Sequence, residues 1–407
     1  MNKLIQKSRK SRAKFFIIFL SIFVWFVTFQ AALAAISVSG EILTDTVWTK
    51  AESPYLVNDY LEVAEGVTLT IESGVVVKFN QSYVDVYGKI IALGTAQDKI
   101  YFTSFLDDSV GGDTNGDGAA TLPDSGDWFG ISFYSPSTRS KFEYADFKYA
   151  STNFYLDASD LSLASSTVSF ADDAAIISNE SDLSVADSAF DGNYYGIDTT
   201  KGRLVLRGNS FTNNYMPVYA DYETVLENSG NSMSGNEHNG IVLYGDLYYV
   251  ESDKTFYKDV PYVLFDDLFV NKNSTLTIEP GVVIKPFYYG AEIDVYGKLN
   301  AVGTEEDPIV VTSLSDDAYG GDTNGDGDAS LPDPWGWGDW DGLYFGTLSS
   351  NSILKNMTLR YYRNMYFDSV DISIDNINLE NNRNPVFIYK GKVKIENSTV
   401  KDNTNAI

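Results

Sequence analysis

Apolar residues that return every 20 to 23 positions constrain this chain more than any other feature. Phe170, Phe190, Phe211 and Met233 step by 20, 21 and 22 residues, and Ile176, Ile197, Val218 and Ile241 by 21, 21 and 23. Three residues after each member of the first series stands Asp173, Asn193, Asn214 or Asn236. A repeat of this length describes a solenoid, in which each turn buries its apolar face only against its neighbours. The texture excludes helical solenoids: no window places apolar residues at i, i+3, i+4 and i+7. The short runs are Val, Ile, Thr, Tyr and Phe, separated by Asn, Gly and Ser. A leucine-rich repeat lacks its Leu-x-x-Leu-x-Leu ladder here. The expectation is an all-β, right-handed parallel β-helix. Its Asn ladder belongs at the turns, where Asn tolerates left-handed backbone and its amide bonds along the stack.

A second, longer repeat overlies the first. Leu69-Thr70-Ile71-Glu72-Ser73-Gly74-Val75-Val76-Val77-Lys78 returns as Leu276-Thr277-Ile278-Glu279-Pro280-Gly281-Val282-Val283-Ile284-Lys285, and Asp85-Val86-Tyr87-Gly88-Lys89 as Asp294-Val295-Tyr296-Gly297-Lys298. Gly111-Gly112-Asp113-Thr114-Asn115-Gly116-Asp117-Gly118 returns 209 residues on as Gly320-Gly321-Asp322-Thr323-Asn324-Gly325-Asp326-Gly327. The offset drifts only from 207 to 212. The organisation expected is a leader at 1–34, one β-helix module at 35–245 with an inserted loop at 107–128, and a second at 246–407 with a loop at 316–340.

Asp-x-Asn-x-Asp-Gly is the opening of a calcium loop, whose first, third and fifth side chains supply oxygens and whose Gly frees the next carbonyl to ligate. The ligand sets expected are Asp113, Asn115, Asp117, the Ala119 carbonyl and Asp124 in the first copy. In the second they are Asp322, Asn324, Asp326, Asp328 and Asp333. A single copy would pass for an ordinary Asp/Asn/Gly turn. Two copies, each closing on Asp at the twelfth position, make Ca2+ the expected cofactor. The dockerin arrangement, with two neighbouring loops leading into helices, does not match loops this far apart and followed by Trp.

Taken together, Leu-Thr-Ile-Glu-x-Gly-Val-Val-x-Lys, the Gly-Lys to Gly-Thr stretches, the paired Gly-Gly-Asp-Thr-Asn-Gly-Asp-Gly loops and Gly-Asp-Trp-x-Gly give a chain that resembles bacterial exported right-handed parallel β-helix repeat proteins. That resemblance implies fold and export, but not activity. The same architecture carries pectin-degrading enzymes, adhesins and stalk segments.

Met1–Lys14 holds six basic residues and no acid, an apolar run follows from Phe15 to Val27, and Ala32-Leu33-Ala34 closes the segment. These are the parts of a secretory signal cleaved near Ala34. An uncleaved anchor over Phe15–Ile36 is the alternative, and the one route by which this chain would hold a membrane. No acid precedes Glu41, so losing the leader takes the net charge from −27 to −33. That charge speaks against nucleic acid, anionic membranes and polyanionic substrates. Cysteine is absent, so the exported chain must be held by core burial, hydrogen-bond ladders or metals.

Catalytic sets are thin. Lys201, Arg203 and Arg207, with Lys390, Lys392 and Lys394, read as solvated strand faces rather than as lyase bases. Asp172 and Asp173 are neighbours on a strand and point to opposite faces, which does not suit a hydrolase pair. His238, the only histidine, lies in a polar turn, Asn236-Glu237-His238-Asn239. Trp128 and Trp340 recur between the copies and are expected to pack the loops onto the coils. Trp335 and Trp337 have no counterpart in the first copy and are the candidates for contact with a glycan or a surface protein. At the end of the chain, Val400, Asn403 and Ile407 take the ladder places of Leu379, Asn382 and Val386, so about two further coils and a cap are expected beyond them. The function expected is a surface or adhesion-type scaffold without catalysis. A carbohydrate-active enzyme and a glycan-binding module are the alternatives.

Overall fold

The computed structural model describes residues 35–407, apart from 138, 246–248, 251, 334–337, 350, 406 and 407. The expected leader, Trp335, Trp337 and Ile407 therefore lie outside the described residues. What is described is a parallel β-solenoid of about 16 turns. Its strands form one sheet of 30 and one of 8. Lys50–Glu52, a single 3-10 turn, is the one helical element among the described residues.

Three strand columns build the first repeat. The first stacks Tyr55, Val77, Phe102, Phe147, Val168, Phe190, Phe211 and Met233. The third stacks Trp48, Ile71, Ala92, Phe142, Leu163, Val185 and Leu206, and ends on Asn228. The second runs from Leu61 through Val84, Ile131, Phe154, Ile176, Ile197, Val218 and Ile241. β-Branched and aromatic residues suit this place because each packs on another apolar side chain one coil above and below. Nearly all of these side chains are fully buried, each contributing about 1.5–3 kcal/mol of transfer free energy.

The join between repeats is offset. Ile241, in the second column, pairs with Tyr262, yet Tyr55, the counterpart of Tyr262, lies in the first column. The second repeat is therefore turned by one face. The column still continues through Ile284, Val311, Leu359 and Leu379 to Val400. The abandoned third column is closed by a polar contact, the Tyr262 hydroxyl donating to Asn228 Oδ1 at 3.0 Å.

The asparagine ladder is real, but it begins one coil later than the spacing suggests. Asn193 donates its backbone N and Nδ2 to Asn214 Oδ1, both at 3.0 Å; Asn214 does the same to Asn236 Oδ1, both at 2.9 Å. Below Asn193 stands Ala171, whose N–H reaches Asn193 Oδ1. Asp173 is not in the ladder. The register error lies at Phe170, which is 39% exposed and left-handed at φ 57°, while Val168 holds the inward place. Phe170 stacks on Tyr149, 5.6 Å away on the outer corner. The left-handed residue at this turn is not the ladder Asn but the one before it: Phe170, Gly192, Asn213 and Gly235.

Candidate functional site

Both inserted loops leave the solenoid after an inward strand, Ile100–Ser104 or Ile309–Val311, and rejoin it at Gly130–Tyr134 or Trp340–Phe345. Trp128 and Trp340 close the loops as their recurrence suggests. Each is fully buried and donates its indole N–H to a backbone carbonyl, Lys148 O at 2.8 Å and Arg360 O at 2.9 Å. Trp128 also stacks on Phe79 at 4.0 Å.

A lysine organises each loop. Lys78, at the end of Val75-Val76-Val77-Lys78, points outward from its strand yet is 0% exposed. The loop folds back over it, and Nζ donates to Asp107 O at 2.7 Å, Gly112 O at 2.6 Å and Thr114 Oγ1 at 3.1 Å. Its counterpart Lys285 donates to Gly321 O at 2.8 Å. Burial pushes both lysines down, Lys285 to about 8, against the opposing pull of the loop aspartates. A hydrogen-bonded ammonium surrounded by carboxylates still keeps its charge at neutral pH.

The expected ligand residues are mostly occupied with the loop itself. Asp113 accepts the N–H groups of Gly116 at 2.7 Å and Gly118 at 2.9 Å, and Asp322 those of Asp326 at 3.2 Å and Gly327 at 3.0 Å. Asn115 and Asn324 donate to Thr121 at 3.0 Å and Ser330 at 2.9 Å, and Asp117 accepts from Thr121. Carboxylate oxygens of Asp108, Asp113 and Asp117 lie within 4.8 Å of one another. Asp124 lies outside that trio. Its N–H is held by Asp127 at 3.0 Å, as that of Asp333 is by Asp339 at 3.2 Å. Ala119 and Asp328 are exposed. Asp108 was not foreseen, although its return as Asp317 at the 209-residue offset was available as a signal. Burial, then Asp113, raises the carboxyl of Asp108; burial, then Asp322, raises that of Asp317.

The second loop does something the first does not: it grips the first repeat. The asparagine ladder passes from Asn236 to Asn239. Asn239 then donates its backbone N to Thr323 O and its Nδ2 to Asp322 O, both at 2.8 Å. The adjacent His238 lies in the polar turn expected, but is buried there. It is 7% exposed, edge-on to Tyr215 and Phe287, with Nδ1 lacking a hydrogen-bond partner. The basic residues Arg203 and Arg207 lie on an exposed face and pair with Glu227.

Residues 131–263 match the model of a family described as periplasmic copper-binding protein (NosD). Protein bark beetle of Drosophila melanogaster is 41% identical over 66 residues, 16% of this chain. The matched stretch is only 2% of that protein's length. No solved structure matches. The family match overturns the expectation of Ca2+, because the metal in its description is copper. The geometry supplies a physical reason for the false signal: the loop's own N–H groups satisfy Asp113, and the buried lysine supplies the positive centre. Nor do the residues present fit copper, which is held by imidazole, thiolate and thioether donors. His238 is the sole imidazole and no cysteine exists. His238 belongs to no ligating group of three among the described residues, and Met233 packs into the main core.

Proposed function

We propose that the chain is an exported β-solenoid scaffold that presents surfaces to partners and does not turn over a substrate. The observation that carries this reading is the locking of both loops onto the coils by buried lysines, with the second loop also bridging the two repeats at Asn239. Loops built for catalysis over a cleft need freedom to open; these are tied down. Export is supported by the basic-then-apolar segment at 1–34 and by the periplasmic description of the matching family. The partners proposed are glycans or surface proteins, with Trp335 and Trp337 as their contacts, and the charge of the mature chain disfavours nucleic acid and polyanions. The test is incubation of the mature protein with a panel of neutral and acidic polysaccharides, following both product release and retardation in polysaccharide gels. Release of ends or unsaturated products from any member would overturn the proposal. Retardation without release, abolished by Trp335→Ala and Trp337→Ala, would identify the ligand face.

A further inference from the structure

One outer face of the second repeat holds carboxyl groups that no donor among the described residues reaches. Two rows of outward side chains run along it, two residues apart on each strand. One row is Asp267, Glu292, Gly342 and Asn364; the other is Phe269, Asp294, Tyr344 and Tyr366. Asp294 is thus flanked by aromatic rings on the coils above and below, and is 7% exposed. No donor among the described residues reaches its carboxylate. Glu292 has its backbone N–H tied to Asp267 Oδ1 at 3.0 Å, but its own carboxylate is also without a hydrogen bond. Its neighbour on the next coil is Gly342, which has no side chain to meet it. Gly342 is fixed there, because at φ 124° an added Cβ would meet Asn364 O at 1.8 Å.

The charges facing this pair are Asp267, Asp341 and Arg363, and Arg363 is drawn to Asp341 at 3.3 Å. Glu292 and Asp341 therefore share one guanidinium, and no cation among the described residues bears on Asp294. Burial pushes Asp294 up to about 7, and burial with Asp294 beside it pushes Glu292 up to about 8. These oxygens do not converge as ligands of a single metal ion do: among the described residues, Asp108, Asp113 and Asp117 form the one carboxylate group close enough for that. They are spread along a half-buried aromatic trough, with Tyr296 tilted against Tyr344 at 5.6 Å. The first repeat keeps a ring pair here, Tyr87 on Tyr134 at 5.6 Å, but differs at the carboxylate. Asp85, the counterpart of Asp294, lies between Glu62 and Ser132 rather than between rings.

We propose that this face receives the ammonium or guanidinium head of a lysine or arginine side chain from a partner polypeptide. Charge-assisted hydrogen bonds to Glu292 and Asp294 supply what both carboxylates lack, and the tyrosines offer the alkyl stem an apolar wall and the cation a π surface. The strongly acidic chain draws basic partners toward it. The inference stands on this face alone and holds whether or not the solenoid is a scaffold.

The experiment is calorimetric titration of the mature chain at pH 7 and 0.15 M salt with Gly-Lys-Gly and Gly-Arg-Gly peptides, blocked at both ends. An acetyl-lysine version and n-butylammonium serve as comparisons. The expected result is binding of the basic peptides, release of protons read as a heat that changes with the buffer's ionisation enthalpy, and no binding of the acetylated peptide. Glu292→Gln with Asp294→Asn, both near-isosteric, should weaken binding at least tenfold and abolish the proton release. Glu62→Gln with Asp85→Asn, which removes at least as much negative charge at pH 7, should weaken it less than twofold. Equal losses in the two double variants, binding of the acetylated peptide, or no binding at millimolar peptide would each overturn the proposal. Butylammonium binding as tightly as the peptides would overturn the assignment to a polypeptide.

Discussion

Replacing Asn214 with Ala is the most demanding perturbation of this fold. Asn214 Oδ1 accepts two hydrogen bonds from Asn193, and its Nδ2 donates to Phe190 O at 3.1 Å and to Asn236 Oδ1 at 2.9 Å. Asn193, Asn214 and Asn236 are 2–3% exposed, so water does not replace what is lost. Truncation strands the Asn193 N–H and the Phe190 carbonyl, each at about 1–3 kcal/mol; the expected loss is about 4 kcal/mol. Solenoids unfold by segments, so urea midpoints should be read alongside amide hydrogen exchange of residues 189–220. There protection should fall by about three powers of ten, since 1.4 kcal/mol is a factor of ten. Asn397→Ala, whose side chain makes one exposed contact to Asp375 and whose backbone is left-handed at φ 50°, should cost about 1 kcal/mol. If Asn214→Ala costs no more than Asn397→Ala, the ladder is not what holds these coils together.

Other outcomes follow from the same geometry. Lys78→Met should strand Asp107 O and Gly112 O and raise the rate of proteolytic cleavage within 113–121 at least tenfold, while Lys285→Met should do the same within 322–330 only; unchanged rates would refute the stapling role. Asn239→Ala should speed hydrogen exchange in 319–325 and leave 111–118 unchanged, because only the second loop is tied to the first repeat. Asp294 and Glu292 bind protons more tightly folded than unfolded. Their contribution is therefore fully present near pH 4 and is lost as pH rises through about 7 and about 8. Asp294→Asn should accordingly stabilise the protein at pH 9, by up to about 4 kcal/mol from a shift of about three units, and change little at pH 4. Equal urea midpoints at pH 9 would contradict that sign.

The solenoid was legible because its signal is a period, and a period survives even when single members are misread. At Phe170 the sequence misleads, because a large apolar residue ordinarily marks the inward place. The true inward residue is Val168, two places earlier, and the aromatic ring serves the outer corner against Tyr149. The loops were legible as motifs, but their organising group was not. Lys78 acts on Gly112 from 34 residues upstream, across the width of a coil, and nothing local to the motif reports it. The turned second repeat was invisible for a related reason. Tyr55 and Tyr262 have matching sequence surroundings and differ only in what stacks beneath them. The acidic face escaped notice because the inserted loop breaks the period between Asp294 and Tyr344, neighbours in the sheet.

The scaffold reading requires a single rigid solenoid, continuous through the offset join between repeats. Small-angle X-ray scattering of the mature protein tests it most directly. About 16 turns at about 4.8 Å each give a rod about 80 Å long, with a rod-like profile unchanged between 0.05 and 0.5 M salt. A broad distribution of dimensions with flexibility between two separate bodies would contradict the account, because a scaffold hinged at the join could not hold its second loop on Asn239.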